Sequence, residues 1–206
     1  MAYPVVFCAD VGSVKAGRFG WAVAIHPAAD LESGSDIGAL CSHVAYCLEQ
    51  GHKVALGFEC PLFVPLTENP YQLTRARSGE GNRPWSAGAG AAVLATGLTE
   101  TVWILKQVRS SLSTAQPAFL SWTEFQQSAN GLFLWEAFVT ASAKGKNHQG
   151  DAEIAVDTFL SCMPNLEDAN AVREDIVYSL IGAALLRTGW RSDVDVLSQA
   201  CVVIRA

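Results

Sequence analysis

The segment Val5-Val6-Phe7-Cys8-Ala9-Asp10-Val11-Gly12-Ser13, followed by Gly20-Trp21-Ala22-Val23-Ala24-Ile25, decides how the chain is read. Val5 to Ala9 is an unbroken apolar run of strand-forming residues that stops at an acid. A run with no polar alternation suits a strand covered on both faces. Gly12, Gly17 and Gly20 mark a turn, and Trp21 to Ile25 reads as a second strand ended by Pro27. The pair predicts an antiparallel hairpin with Asp10 at the end of its first strand.

Working outward, Ser35 or Asp36 offers a helix cap, and Ile37, Leu40, Cys41, Val44, Ala45 and Leu48 follow at helical spacing up to Gly51. Val54 to Phe58 is a further apolar strand, and it too ends in an acid, Glu59. Residues 61–90 are rich in Pro, Gly, Asn and Arg without a period, and read as a long loop. Helices are expected over residues 91–108, 151–160 and 171–187, a short strand over 132–135 ending at Glu136, and a terminal strand over 201–204. With no internal repeat or linker, the expectation is one α/β domain covering residues 1–206.

Composition narrows the function classes. Of 206 residues half are hydrophobic and 17% charged, enough apolar content for a core without disulfide or metal staples. No apolar run approaches the roughly 18 residues of a membrane span, and Met1-Ala2-Tyr3-Pro4 lacks a basic signal-peptide start, so no membrane and a cytoplasmic location are expected. The six cysteines form no C-x-x-C pair and read as reduced, buried thiols; Cys41, His43 and Cys47 crowd together without zinc-like spacing. A net charge of −6 argues against a protein that coats duplex non-specifically, yet it is compatible with an acidic catalytic centre. The sequence leaves the oligomeric state open.

If the helix after the hairpin makes a crossover, the strands ending at Asp10 and Glu59 run parallel and are neighbours, about 4.8 Å apart. Their carboxylates then converge. Asp151, which follows Gly150 at a helix start, is a third candidate. Converging carboxylates repel unless a cation sits between them. Oxygen-only ligands suit Mg²⁺ or Mn²⁺, and two such ions about 4 Å apart can drive phosphodiester hydrolysis. Read singly, each acid is equally an ordinary strand-end or helix-start residue.

The order of these motifs resembles the RNase H-like superfamily, in particular its RuvC-type nucleases and small families of uncharacterised RNase H-like nucleases. Phe7 to Ser13 with Gly20-Trp21-Ala22-Val23 resembles the first motif, and Val54 to Glu59 resembles the second. His148-Gln149-Gly150-Asp151-Ala152 resembles the third, and Cys60-Pro61-Leu62 resembles a Pro-Leu loop that follows the second acid. The resemblance spans most of residues 5–160. It implies a mixed sheet flanked by helices and a metal-dependent nuclease acting on DNA or RNA. It also implies Asp10, Glu59 and Asp151 as metal ligands, and His148 as a group that orients or activates water. Two departures stand out. The superfamily's third strand is short or missing, because residues 26–35 are few and polar. Asp175, in the predicted C-terminal helix, competes with Asp151 for the last ligand position, and Glu136 is a further strand-end candidate.

Arg75, Arg77 and Arg83 lie in the long loop after Glu59, together with Trp85. Arginine forks match phosphate oxygens and tryptophan stacks on bases, so these four are candidate substrate contacts. The alternative is that the arginines pair with Glu68 or Glu80. Two other functions stay open. One is a non-catalytic binding or assembly role. The other is a phosphotransferase of the actin-like or sugar-kinase type, whose first phosphate motif Asp10-Val11-Gly12-Ser13 also resembles.

Overall fold

A computed structural model describes residues 3–25, 31–81, 84–140 and 143–206. The strands are β1 (Val5–Asp10), β2 (Gly20–Ala24), β3 (Leu31–Gly34), β4 (Lys53–Phe58), β5 (Phe63–Pro65), β6 (Ala118–Phe119), β7 (Gly131–Phe138), β8 (Val177–Ser179) and β9 (Val203–Arg205). The helices are α1 (Ile37–Glu49), α2 (Gly88–Ser111), α3 (Trp122–Gln127), α4 (His148–Cys162) and α5 (Leu180–Thr188).

A mixed sheet of seven strands forms in the order β3-β2-β1-β4-β7-β6. β1 to β3 pair antiparallel, while β4 joins β1, and β7 joins β4, in parallel. The outer edge of β7 is shared: β6 covers its first half and β9 its second. The third strand therefore exists, as a four-residue edge whose residues are exposed or half-buried.

Alternation along the central strands sorts their side chains onto two faces. Val5, Phe7, Val54, Leu56, Leu132 and Leu134 point to one face and pack with Leu40 and Val44 of α1, Ile104 and Leu105 of α2, and Ile181 of α5. Val6, Cys8, Ala55, Phe133 and Trp135 point to the other and pack with Trp122 and Phe125 of α3 and Val156 and Phe159 of α4. The continuous apolar runs thus have the physical cause the sequence implied: both faces are covered. Gly57 serves this packing directly, since a Cβ there would lie 2.3 Å from the Trp135 ring.

Three expectations are corrected. Residues 171–187 are not one helix. Ala171 and Arg173 lie outside any helix, their N–H groups bonded to the carbonyls of Val203 and Ser78, and the chain then forms β8, which pairs antiparallel with β5. Ser179 starts α5 by accepting the Gly182 N–H, so a cap and long-range backbone bonds override the apolar period. The stretch 61–90 is not featureless, because it contains β5 and a short 3₁₀ turn at Pro70–Gln72. Finally, α2 is long and apolar enough, by length and composition, to cross a membrane. Its Ile104, Leu105 and Val108 are buried in the core that α1 and α5 share. All six cysteines are free, and Cys41 and Cys47 are buried in the core on α1.

Candidate metal centre

The parity that builds the core also builds the site. Asp10 is the next same-face residue after Val6 and Cys8, and Glu59 follows Ala55 and Gly57, so both acids leave adjacent parallel strands toward the α4 face. The Glu59 N–H donates to the Ala9 carbonyl at 2.8 Å, extending the ladder to the two acids. Asp151 lies in the first turn of α4, which starts at His148 because the Asn147 side chain accepts the Gly150 N–H. Gly20 lets that helix start sit against β2, since a Cβ there would fall 2.4 Å from the His148 backbone. Among the described residues, Asp10, Glu59 and Asp151 each bring a carboxylate oxygen within 4.8 Å of the others'.

Burial and like charge act together on this cluster. Asp10 is raised to about 7, by burial first and then by Asp151 and Glu100, against the opposing effect of Lys144. Glu59 is raised to about 8, by burial and then by Asp10 and Asp151, again opposed by Lys144. Glu59 Oε2 is buried with no hydrogen-bond partner. An all-oxygen donor set, with one oxygen unpaired and mutual repulsion that Lys144 relieves only in part, fits a hard divalent cation such as Mg²⁺ or Mn²⁺.

Three neighbours complete the site. His148 Nδ1 lies 2.5 Å from Asp10 Oδ2, so the histidine touches one carboxylate of the cluster directly. Lys144 Nζ lies 3.2 Å from Asp151 Oδ2 and 3.7 Å from Glu59 Oε1, and the Gly145 N–H donates to Asp151 Oδ1 at 2.6 Å. Glu100, on α2, accepts the Gly12 N–H at 3.1 Å and fixes the turn that follows Asp10. Lys144 and Glu100 escaped the reading of the sequence. Glu100 had a faint signal as the lone acid of an apolar helix; Lys144 had only its place just before a helix cap.

The other candidates are not part of the carboxylate cluster, although Arg77 and Glu136 line a cavity that Glu59 and Lys144 also border. Glu136 has the parity of Leu132 and Leu134 and points to the opposite face of the sheet from Asp10 and Glu59. There its carboxylate accepts from Arg77 at 2.6 and 2.8 Å and from the Leu62 N–H at 2.9 Å. Asp175 is exposed in a bend before β8 and is not part of the cluster. Arg77 is 3% exposed and also bonds Glu80, so its guanidinium ties the loop to Glu136. Arg75 makes a two-pronged pair with Glu174 at 2.8 and 2.5 Å, and Trp85 donates its indole N–H to the Arg75 carbonyl. Ion pairing accounts for these two arginines, with Glu80 the partner the sequence offered and Glu136 and Glu174 the ones it did not. Arg83 lies outside the described residues. No protein-family model, curated protein or solved structure matches the chain.

Proposed function

We propose that this chain is a metal-dependent nuclease of the RNase H-like kind, hydrolysing phosphodiester bonds in DNA or RNA. The observation that carries the reading is the convergence of Asp10, Glu59 and Asp151 from two adjacent parallel strand ends and a helix start. The antiparallel β1–β2–β3 ladder, the crossover through α1 and the parallel β4 agree with it. Asp10, Glu59 and Asp151 would hold Mg²⁺ or Mn²⁺, which when bound activates water and stabilises the leaving oxygen. His148 holds Asp10 in place and stands at the partly exposed mouth of the site, where it can orient a water. Lys144 supplies a positive charge at the same mouth.

One observation favours a second reading, a non-catalytic module. Lys144 already lies against two of the three carboxylates and partly neutralises them without any ion. The discriminating assay offers Mn²⁺ with single-stranded, duplex and branched DNA and RNA to the wild type and to Asp10→Asn. Cleavage by the wild type alone supports the nuclease. Equal cleavage by both places the activity elsewhere, and no cleavage with no bound metal favours the module.

A further inference from the structure

Two segments frame the acidic cluster, the loop of residues 11–19 after Asp10 and the loop of residues 143–147 that leads into α4 before Asp151. Together they carry Lys15, Arg18, Lys144 and Lys146 and no acid, in a chain whose net charge is −6. All four side chains belong to exposed residues. Lys144 reaches the carboxylates; Lys15, Arg18 and Lys146 have no carboxylate partner among the described residues. Cations elsewhere are mostly engaged: Arg75 with Glu174, Arg77 with Glu80 and Glu136, Arg191 with Asp193, Lys53 with the Phe125 and Gln126 carbonyls, and Arg205 with the Gly79 carbonyl.

The two loops also abut. The first ends at Gly20, whose α-carbon packs against the backbone of His148 and Gln149, and His148 in turn touches Asp10. The first is held in shape by Glu100 on Gly12, and the second by Asp151 on Gly145. The free cations therefore stand on braced loops beside the recessed acids. Asp10 and Asp151 are recessed, each 5% exposed, while the segments that follow the one and precede the other carry exposed positive charge, a pattern that favours a polyanion.

We infer that Lys15, Arg18 and Lys146 form the phosphate-backbone contact of a nucleic-acid strand, seated beside the carboxylate cluster. This surface is distinct from the arginine loop, and it rests on the nuclease reading for the identity of the polyanion. Lysine and arginine contacts to phosphate make binding fall with salt, with a slope of about −0.7 per contact on single strands and about −0.9 on duplex.

The test measures binding of a fluorescent oligonucleotide, single-stranded or duplex, by anisotropy over a salt series, with Ca²⁺ present to prevent cleavage. It compares the wild type, the triple variant Lys15→Gln/Arg18→Gln/Lys146→Gln, and Lys106→Gln/Arg187→Gln as a control on α2 and α5. The triple variant is expected to bind more weakly at low salt, with a slope shallower by about 2 on single strands. The control is expected to keep the wild-type slope. The arm with the larger wild-type affinity identifies the strand form. An unchanged slope in the triple variant, an equal loss in the control, or no binding of either oligonucleotide by the wild type overturns the inference. Mn²⁺ titration of the same samples separates the two claims. Metal binding without oligonucleotide binding sinks the surface alone, and loss of both sinks the nuclease reading with it.

Discussion

Asp10 and Glu59 hold protons in the folded protein that an unfolded chain would release, because burial raises both above the ordinary carboxylate range. Their contribution to stability is therefore greatest at low pH. It declines as pH climbs from the ordinary carboxylate range through about 7 and about 8, where the folded carboxyls ionise. Metal-free protein is expected to lose melting temperature across that window in a pH series, and Asp10→Asn is expected to flatten the loss and melt higher than wild type at pH 8. Divalent metal competes with these protons, so saturating Mg²⁺ is expected to restore stability at the alkaline end. A melting temperature that rises from pH 5 to pH 8 without metal would contradict this account of the cluster. Lys144 acts in the opposite sense. Its ammonium lies against Asp151 and Glu59 and would compete with a metal ion for them. Lys144→Met is expected to lower the metal-free melting temperature at pH 8 and to tighten Mn²⁺ binding severalfold by calorimetry. Weaker Mn²⁺ binding would show that the lysine supports the ion rather than competing with it.

Among the elements, the buried Arg77 is the clearest structural part. Its guanidinium bonds Glu80 and Glu136 while its face lies over Phe63, 4.7 Å from the ring centroid. Removing one member of such a buried set leaves uncompensated charge, which costs about 3–5 kcal/mol. Arg77→Ala is expected to lose stability of that order in urea unfolding. Arg75→Ala, whose side chain is about one-third exposed, is expected to lose far less. Comparable losses would mean that the loop is not organised around Arg77. The contrast also shows what the sequence made legible. The hairpin, the crossover and the paired strand-end acids followed from apolar runs, glycines and caps, all local signals. Glu136 looked the same as Asp10 and Glu59, as an acid after an apolar run. Its parity relative to theirs depends on inter-strand register, which no local pattern states. The segment 171–187 carried a helical period, but backbone bonds to Ser78 and Val203, distant in sequence, hold its first residues out of the helix. Lys144 was invisible for a related reason: a lone lysine acquires meaning only once the loop folds back onto Asp151.

At the scale of the whole molecule, the sheet explains why one end carries the chemistry. β1, β4 and β7 run parallel, so their C-terminal ends share one edge. The two loops that follow β1 and precede α4 meet there through Gly20 and His148. The apolar faces are closed by α1, α2 and α5 on one side and by α3 and α4 on the other, which leaves that end free to hold the buried carboxylates. The proposed chemistry depends on a divalent cation binding at this cluster. Anomalous diffraction from crystals soaked in Mn²⁺ above pH 8 tests it most directly. A manganese peak bounded by Asp10, Glu59 and Asp151 is expected, with the Lys144 ammonium moved off Asp151. A map with no peak there, and Lys144 still bonded to Asp151, would contradict it.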